Sequence, residues 1–339
     1  MRQEGGAETP GWLKAALGCA IGCGVLCLLL FVAAGVAGWW IVSPGKQRST
    51  LAVASPAAAG TFQVGDLGAD PGVTALLDHA IRESQRQGQQ GLPPWMRQLQ
   101  QAGAAGTSPS TGLRMLLPRQ ATFAIEEGEG GGDPALVAAF NPRGLTRLFR
   151  TLMPDDAVSG THRAHELVRF ASDSWAALVD GTVLVASGEE ALRGAIDRLL
   201  DGDGAPAAPA PDLGTPVRGW DLSGAVDDRG DMLAELLYGE TRETPGFERA
   251  LLGVDVASRD LAAGRVVVEC ADRDAQAVAL QALEARAAGF ATQLAEAGLE
   301  LRAAVRGEGE RAVLDWEVHG LAAATSDWIA RNAAGGAAP

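Results

Sequence analysis

Trp175-Ala-Ala-Leu-Val-Asp-Gly-Thr-Val-Leu-Val-Ala-Ser-Gly-Glu-Glu-Ala-Leu-Arg193 carries the pattern that decides the fold. Two apolar runs, Ser174–Leu178 and Thr182–Ala186, flank Asp180-Gly181. A type I′ turn needs positive φ at both central positions, and Asp-Gly supplies it, so the runs predict an antiparallel hairpin. Ser187 with Glu190 three residues on reads as a capping box opening a helix to about Leu200. A hairpin leaving directly into an apolar-faced helix is the building unit of an α+β layer.

The same grammar extends in both directions. Upstream, Asp70-Pro71 supplies an N-cap and a first-turn proline, and Val73, Leu76, Leu77 and Ile81 follow at helical spacing to about Gln87. Ala121–Glu126, Pro134–Phe140 and Glu166–Phe170 read as strands, and Asn141-Pro142 as the start of a helix to about Leu152. Downstream, Leu251–Ala257 and Gly264–Glu269 read as a hairpin ahead of a long helix, about Asp274 to Glu296. In that helix Leu280, Leu283, Ala287, Phe290 and Leu294 form one face. Leu299–Val305 and Ala312–Val318 alternate across Gly307–Glu310, a hairpin with one wet face. Thr182–Glu190 set beside Gly264–Asp272 shows a strand leaving through a polar turn into a helix in each half. The expected fold class is therefore α+β: antiparallel sheets with helices on one side, in two pseudo-repeated halves.

Ahead of this region, Ala15–Val42 contains no charged side chain. At about 1.5 Å per residue a helix of that length exceeds a hydrocarbon core of about 30 Å. Trp12 at one end and Trp39 and Trp40 at the other suit the membrane interfaces. The competing reading, a cleaved signal peptide, wants an apolar region about half as long. Gly18 and Gly22, Ala34 and Gly38, and the Cys19, Cys23, Cys27 stripe could form a seam for a second copy or a partner helix. The alternative is that small residues there are merely tolerated in lipid. The resulting plan is a tail over residues 1–14, a single-pass transmembrane helix over 15–42 and a flexible tether over 43–70. A first half over 71–200, a linker over 201–216, a second half over 217–332 and a tail over 333–339 follow.

Composition excludes several activities. The only lysines are Lys14 and Lys46, so the region beyond them has neither a P-loop lysine nor a Schiff-base amine. Cys270 is the one cysteine beyond the apolar run, which leaves no intradomain disulfide and no cysteine-based zinc site there. The net charge is −14, while residues 1–48 carry four basic side chains against two acidic ones. The acidity therefore lies in the C-terminal region, whose field repels phosphate backbones, and no nucleic acid is expected as a partner.

No catalytic, cofactor-binding or metal-binding residues are expected. His162 and His165 sit where a loop enters a strand, and odd spacing on one strand would send them to opposite faces. His79 with Glu83 lies on the polar side of its helix as a solvated pair, and His319 shapes a turn to Gly320. The Glu126, Glu129, Asp133 loop is glycine-rich but acidic, which suits a loose turn better than a phosphate cradle and leaves calcium as the weaker alternative. Asp201-Gly202-Asp203-Gly204 begins like a calcium loop, but the rest of the ligand pattern fails. Trp95, Met96 and Trp220 are candidate partner contacts, with packing as the commoner fate.

The Trp175–Arg193 stretch, within Met115–Leu200, resembles an element of uncharacterised bacterial membrane-anchored proteins with a large extracytoplasmic α+β domain. The resemblance implies an N-terminal span in the bacterial cytoplasmic (inner) membrane with the acidic domain outside, and it brings no catalytic residues. The functional expectation is an extracytoplasmic binding or scaffolding module held in the lipid bilayer, with an unknown envelope protein as partner. The alternatives are an envelope hydrolase with a dispersed site and a dimeric membrane sensor. A pocket lined by histidine and carboxylates would favour the hydrolase, and a broad apolar surface the binding module.

Overall fold

The structure is a computed structural model. It describes residues 47–56, 58–86, 117–126, 135–142, 158–169, 174–202, 220–227 and 246–335, with single positions at 213, 233, 237 and 238. Among these, twelve strands form one sheet, accompanied by four helices of which the last packs on the first. The strands are β1 (Ala58–Val64), β2 (Pro118–Glu126), β3 (Ala135–Pro142), β4 (Val158–His162), β5 (His165–Arg169), β6 (Trp175–Val179) and β7 (Thr182–Ala186). Then come β8 (Leu222–Asp227), β9 (Phe247–Ser258), β10 (Leu261–Cys270), β11 (Glu300–Glu308) and β12 (Arg311–His319). The helices are α1 (Pro71–Arg86), α2 (Glu189–Asp201), α3 (Arg273–Glu296) and α4 (Leu321–Gly335).

The strand order is β11-β12-β10-β9-β8-β1-β2-β3-β7-β6-β5-β4. Read outward from the central β1–β8 pair, one wing runs β2, β3, β7, β6 and the other runs β9, β10, β12, β11, with the β4–β5 hairpin added to the first. The wings share this plan with a different pairing from the one expected from sequence. β7, followed by α2, takes the place of β12, followed by α4, whereas β10 takes the place of β3.

Two expectations are corrected. Residues 58–64, expected within the tether, form β1 at the centre of the sheet, hydrogen-bonded to β2 on one edge and β8 on the other. Ala-Ala-Gly-Thr-Phe-Gln-Val has little local strand signal, and its conformation is imposed by its two neighbours. The lead-in is equally ordered. Thr50–Val53 is a short 3₁₀ turn with Thr50 and Val53 buried, and the Thr122 hydroxyl donates to Thr50 Oγ1 at 2.8 Å. Arg48 donates to the carbonyls of Leu199 and Leu200 at 3.0 and 3.2 Å, capping the C-terminus of α2.

Nor do the helices lie on one side. Paired residues of antiparallel strands share a face, and Phe123, Phe62, Gly224, Leu252, Val266 and Leu314 follow one another through the register. α3 packs on that face over Val266, Val268 and Leu314. α2 packs over Val137, Ala139, Leu184 and Ala186, which have the opposite parity to Ala138 and Val185, the partners of Phe123. The sheet is therefore shared while its two main apolar clusters lie on opposite faces of opposite wings.

The Asp180-Gly181 turn forms as expected, with φ of 47° and 82°. A second turn of the same kind joins β4 to β5 through Arg163 and Ala164, at φ 48° and 66°, without glycine. Ion pairs from Arg163 to Asp197 and Asp201 of α2 hold it. Asp70 caps α1 as read, accepting from Val73 N at 2.8 Å. Ser187 does not cap α2, because its hydroxyl accepts from Leu136 N of β3 at 3.0 Å and Gly188 stands at the cap.

Candidate functional site

α3 begins at Asp272, whose side chain accepts from Ala275 N at 2.8 Å. Its first half presents Ala275, Ala279 and Ala282 to the sheet, all buried, and small side chains let helix and strands approach closely. Burial ends at Ala287. Phe290, on the same apolar face by sequence, is 43% exposed. Between the second half of α3 and the outer strands lies a groove of about 300 Å³. Leu283, Phe290 and Leu294 form its roof and Leu301, Leu314, Trp316 and Val318 part of its floor.

One strand position beneath Trp316 has no side chain. Gly264 of β10 is paired with Trp316 of β12, and the indole lies over it; a methyl group at Gly264 would meet Trp316 Cζ2 at 2.2 Å. Among the described residues lining the groove, Arg286 alone is charged. Its guanidinium stands 4.6 Å from the centroid of the Phe290 ring, and its Nε is buried without a hydrogen-bond acceptor.

The opposite face of the same wing is chemically different. A groove of about 490 Å³ is lined by Trp220, Asp255, Arg265, Arg302, Asp315 and Glu317, among others. Arg265 Nε lies 2.6 Å from Asp315 Oδ1, and Arg306 closes on the other carboxylate oxygen. Burial alone would push the Asp315 carboxyl up, but hydrogen bonds from Arg265 and Arg306 outweigh it and hold it below the ordinary carboxylate range. Trp220 packs over Gly253, so its indole is a packing element of this face.

Several residues singled out in the sequence fall elsewhere. The expected seam (Gly18, Cys19, Gly22, Cys23, Cys27, Ala34, Gly38) and the interface tryptophans Trp12, Trp39 and Trp40 lie outside the described residues, as do Trp95, Met96, Glu129 and Asp133. Among the described residues no helix is long and apolar enough to cross a membrane. His162 and His165 are cross-strand partners on one face rather than residues sent to opposite faces, because the two-residue turn lies between them. His162 is engaged by α2, with Nε2 2.9 Å from Asp197 Oδ1 and Nδ1 3.3 Å from Arg193 Nη1. Glu126 closes on Arg198; burial pushes its carboxyl above the ordinary range, and Arg198 and the Ser55 amide pull it partway back.

His79 is not a solvated partner of Glu83. Its Nε2 lies 3.0 Å from both Ala322 O and Ser326 Oγ of α4, and Glu83 pairs with Arg86 instead. A carbonyl oxygen only accepts, so Nε2 carries the hydrogen and donates to Ala322 O. A protonated Nε2 cannot take a proton from Ser326, whose hydroxyl also donates to Ala322 O at 3.1 Å. This serine–histidine contact therefore clamps α1 to α4.

Folding also gathers three carboxylates that are far apart in sequence: oxygens of Asp70, Asp221 and Asp255 lie within 4.8 Å of one another, Asp221 and Asp255 being buried. Asp70 caps α1, and Asp221 Oδ2 accepts from Val256 N at 2.8 Å. Backbone capping accounts for these two, and no local sequence signal announces the cluster. Neither Arg286 nor Trp316 carries a motif signal either. The one trace is an arginine four residues before Phe290 on an otherwise apolar helix face.

No protein-family model matches this chain, and no curated protein matches it. Among solved structures, "Structure of crystal form I of TP0453" is similar over 85% of this chain and 99% of its own, at 10% identity and a TM-score of 0.46.

Proposed function

We propose that the chain is a non-catalytic binding module, held at the outer side of a bacterial cytoplasmic membrane by residues 15–42, and that the groove under α3 is its ligand site. The observation that carries this reading is the roughly 300 Å³ groove, whose described lining is apolar except for Arg286. Ligand sites are concave, mostly apolar and supplied with few polar groups, and this volume falls at the lower end of their range of about 300–1,000 Å³. Its described lining contains no histidine and no carboxylate, which supports the binding module over the hydrolase. The common plan of the two wings also supports reading the α+β region as two pseudo-repeated halves.

Titration of the full chain in phosphatidylcholine nanodiscs with 1-aminoanthracene, a neutral apolar fluorophore, tests the site. Ala303 is exposed at the groove edge, so Ala303→Trp fills the groove without disturbing a packed core. Saturable binding that Ala303→Trp weakens by about tenfold or more, roughly 1.4 kcal/mol, is the expected result. Equal binding by both proteins, or none beyond that of empty nanodiscs, overturns the assignment. The topology is checked separately by protease digestion of spheroplasts. Cleavage beyond residue 43 without permeabilisation is expected, and protection would reverse the orientation.

A further inference from the structure

We infer that the occupant of the α3 groove is a fatty carboxylate, a single acyl chain whose head is held by Arg286; this rests on the groove being the ligand site. In a chain of net charge −14, arginines find carboxylates readily. Each arginine on β9–β12 has one: Arg249 with Asp227, Arg265 with Asp315, Arg302 with Glu300, Arg306 with Glu308, and Arg311 with Glu269. Arg286, on the helix packed over these strands, differs. It makes no ion pair among the described residues, only the Phe290 ring contact, and its buried Nε has no acceptor. A guanidinium beside apolar walls, with an unused donor, is a fixed positive charge with no acceptor among the described residues.

The rest of the groove sets the other end of the ligand. From Arg286 to Leu294 the helix advances about 12 Å, a length suited to an acyl chain lying along it. Leu294, Leu301 and Val318 line the groove away from the charge, and nothing polar among its described lining would match a second head group. The volume is too small for a two-chain lipid, which fills far more than the low end of the ligand-site range. A monoanion also matches one guanidinium, whereas a dianionic phosphate monoester would leave surplus negative charge against an acidic protein.

The probes are laurate, dodecanol and dodecyltrimethylammonium, each displacing 1-aminoanthracene from the full chain in phosphatidylcholine nanodiscs. Laurate is expected to displace the fluorophore at about tenfold lower concentration than dodecanol, since a carboxylate meets the guanidinium with opposite charge and two acceptor oxygens whereas a hydroxyl brings one neutral acceptor. The cation is expected to be weaker than either. Arg286→Met keeps the apolar stem and removes the donor, so it should weaken laurate far more than dodecanol and erase the preference for laurate, and Arg286→Lys should restore part of it. Equal displacement by laurate and dodecanol, or a preference that survives Arg286→Met, overturns the carboxylate assignment while leaving the groove a binding site. Absence of fluorophore binding removes the groove reading itself. Laurate displaced in turn by lysophosphatidic acid at lower concentration would transfer the site to a phosphate head and overturn the carboxylate.

Discussion

Gly72 and Gly289 both lie in helices, and replacing each with alanine should move stability in opposite directions. At Gly72, in the first turn of α1, a methyl carbon would stand 1.6 Å from the carbonyl oxygen of Val256 and 2.7 Å from its carbon. Both are backbone atoms of β9 at its register shift against β10, where Val256 N is held by Asp221 Oδ2 at 2.8 Å. To restore an ordinary contact of about 3.5 Å, the start of α1 must back away by roughly 2 Å. That shift pulls on the Asp70 cap, on buried Ile81 and on the His79 bond to α4. Overpacking of this kind costs about 1–3 kcal/mol, and a rigid backbone neighbour puts it at the upper end. Alanine returns at most about 1 kcal/mol through helix propensity and a less flexible unfolded chain. The net loss of about 2 kcal/mol corresponds to a melting point lower by roughly 4–8 °C. Gly289 of α3 has nothing within 4 Å of the added methyl, so the propensity term acts alone and Gly289→Ala should raise the melting point by about 2 °C. Differential scanning calorimetry of the full chain in nanodiscs reads both. A Gly72→Ala protein as stable as the parent would refute the packing of α1 against β9.

Three further outcomes are expected. Asp315 is held below the ordinary carboxylate range, so its contribution is present above about pH 3.9 and is lost as pH falls through its folded value; the parent should lose melting temperature more steeply than Asp315→Asn below that pH, and parallel acid profiles would contradict the Arg265–Asp315–Arg306 cluster. Arg48→Ala removes the cap on Leu199 and Leu200 and should cost about 1–2 kcal/mol, with faster amide exchange confined to the end of α2 and the 3₁₀ turn; unchanged exchange there would sink the anchoring role of residues 47–53. Burial pushes the Cys270 thiol up, so at pH 8 the peptide containing it should alkylate much more slowly in the native protein than in urea, and equal rates would place Cys270 at the surface.

Local chemistry in the sequence reached as far as local structure does. The Asp180-Gly181 hairpin, the Asp70 cap, the β11–β12 hairpin and α3 could all be read because their signals lie within a few residues of one another, whereas the expected wet face of β12 is covered where Val313 packs with Leu251 and Val267. β1 could not, since Ala58–Val64 is a strand only by virtue of partners more than fifty residues away. The β4–β5 turn was equally silent, because Arg163 and Ala164 adopt positive φ through ion pairs to α2 rather than through residue type. The groove depends on a helix end that stands clear of the sheet, and its apolar stripe looks in sequence like any core face. Phe290 shares that stripe, and only its 43% exposure reveals the roof of a cavity.

The claim that Arg286 and the α3 groove hold an acyl carboxylate is tested most directly by photolabelling. A fatty acid carrying a diazirine on its chain would be irradiated with the full chain in nanodiscs, and the labelled peptides mapped by mass spectrometry. Labels on residues 283–294 and 301–318, lost with Ala303→Trp and shifted or lost with Arg286→Met, are the predicted result. Labels that collect instead at exposed Trp328 of α4, or that ignore both substitutions, would contradict it.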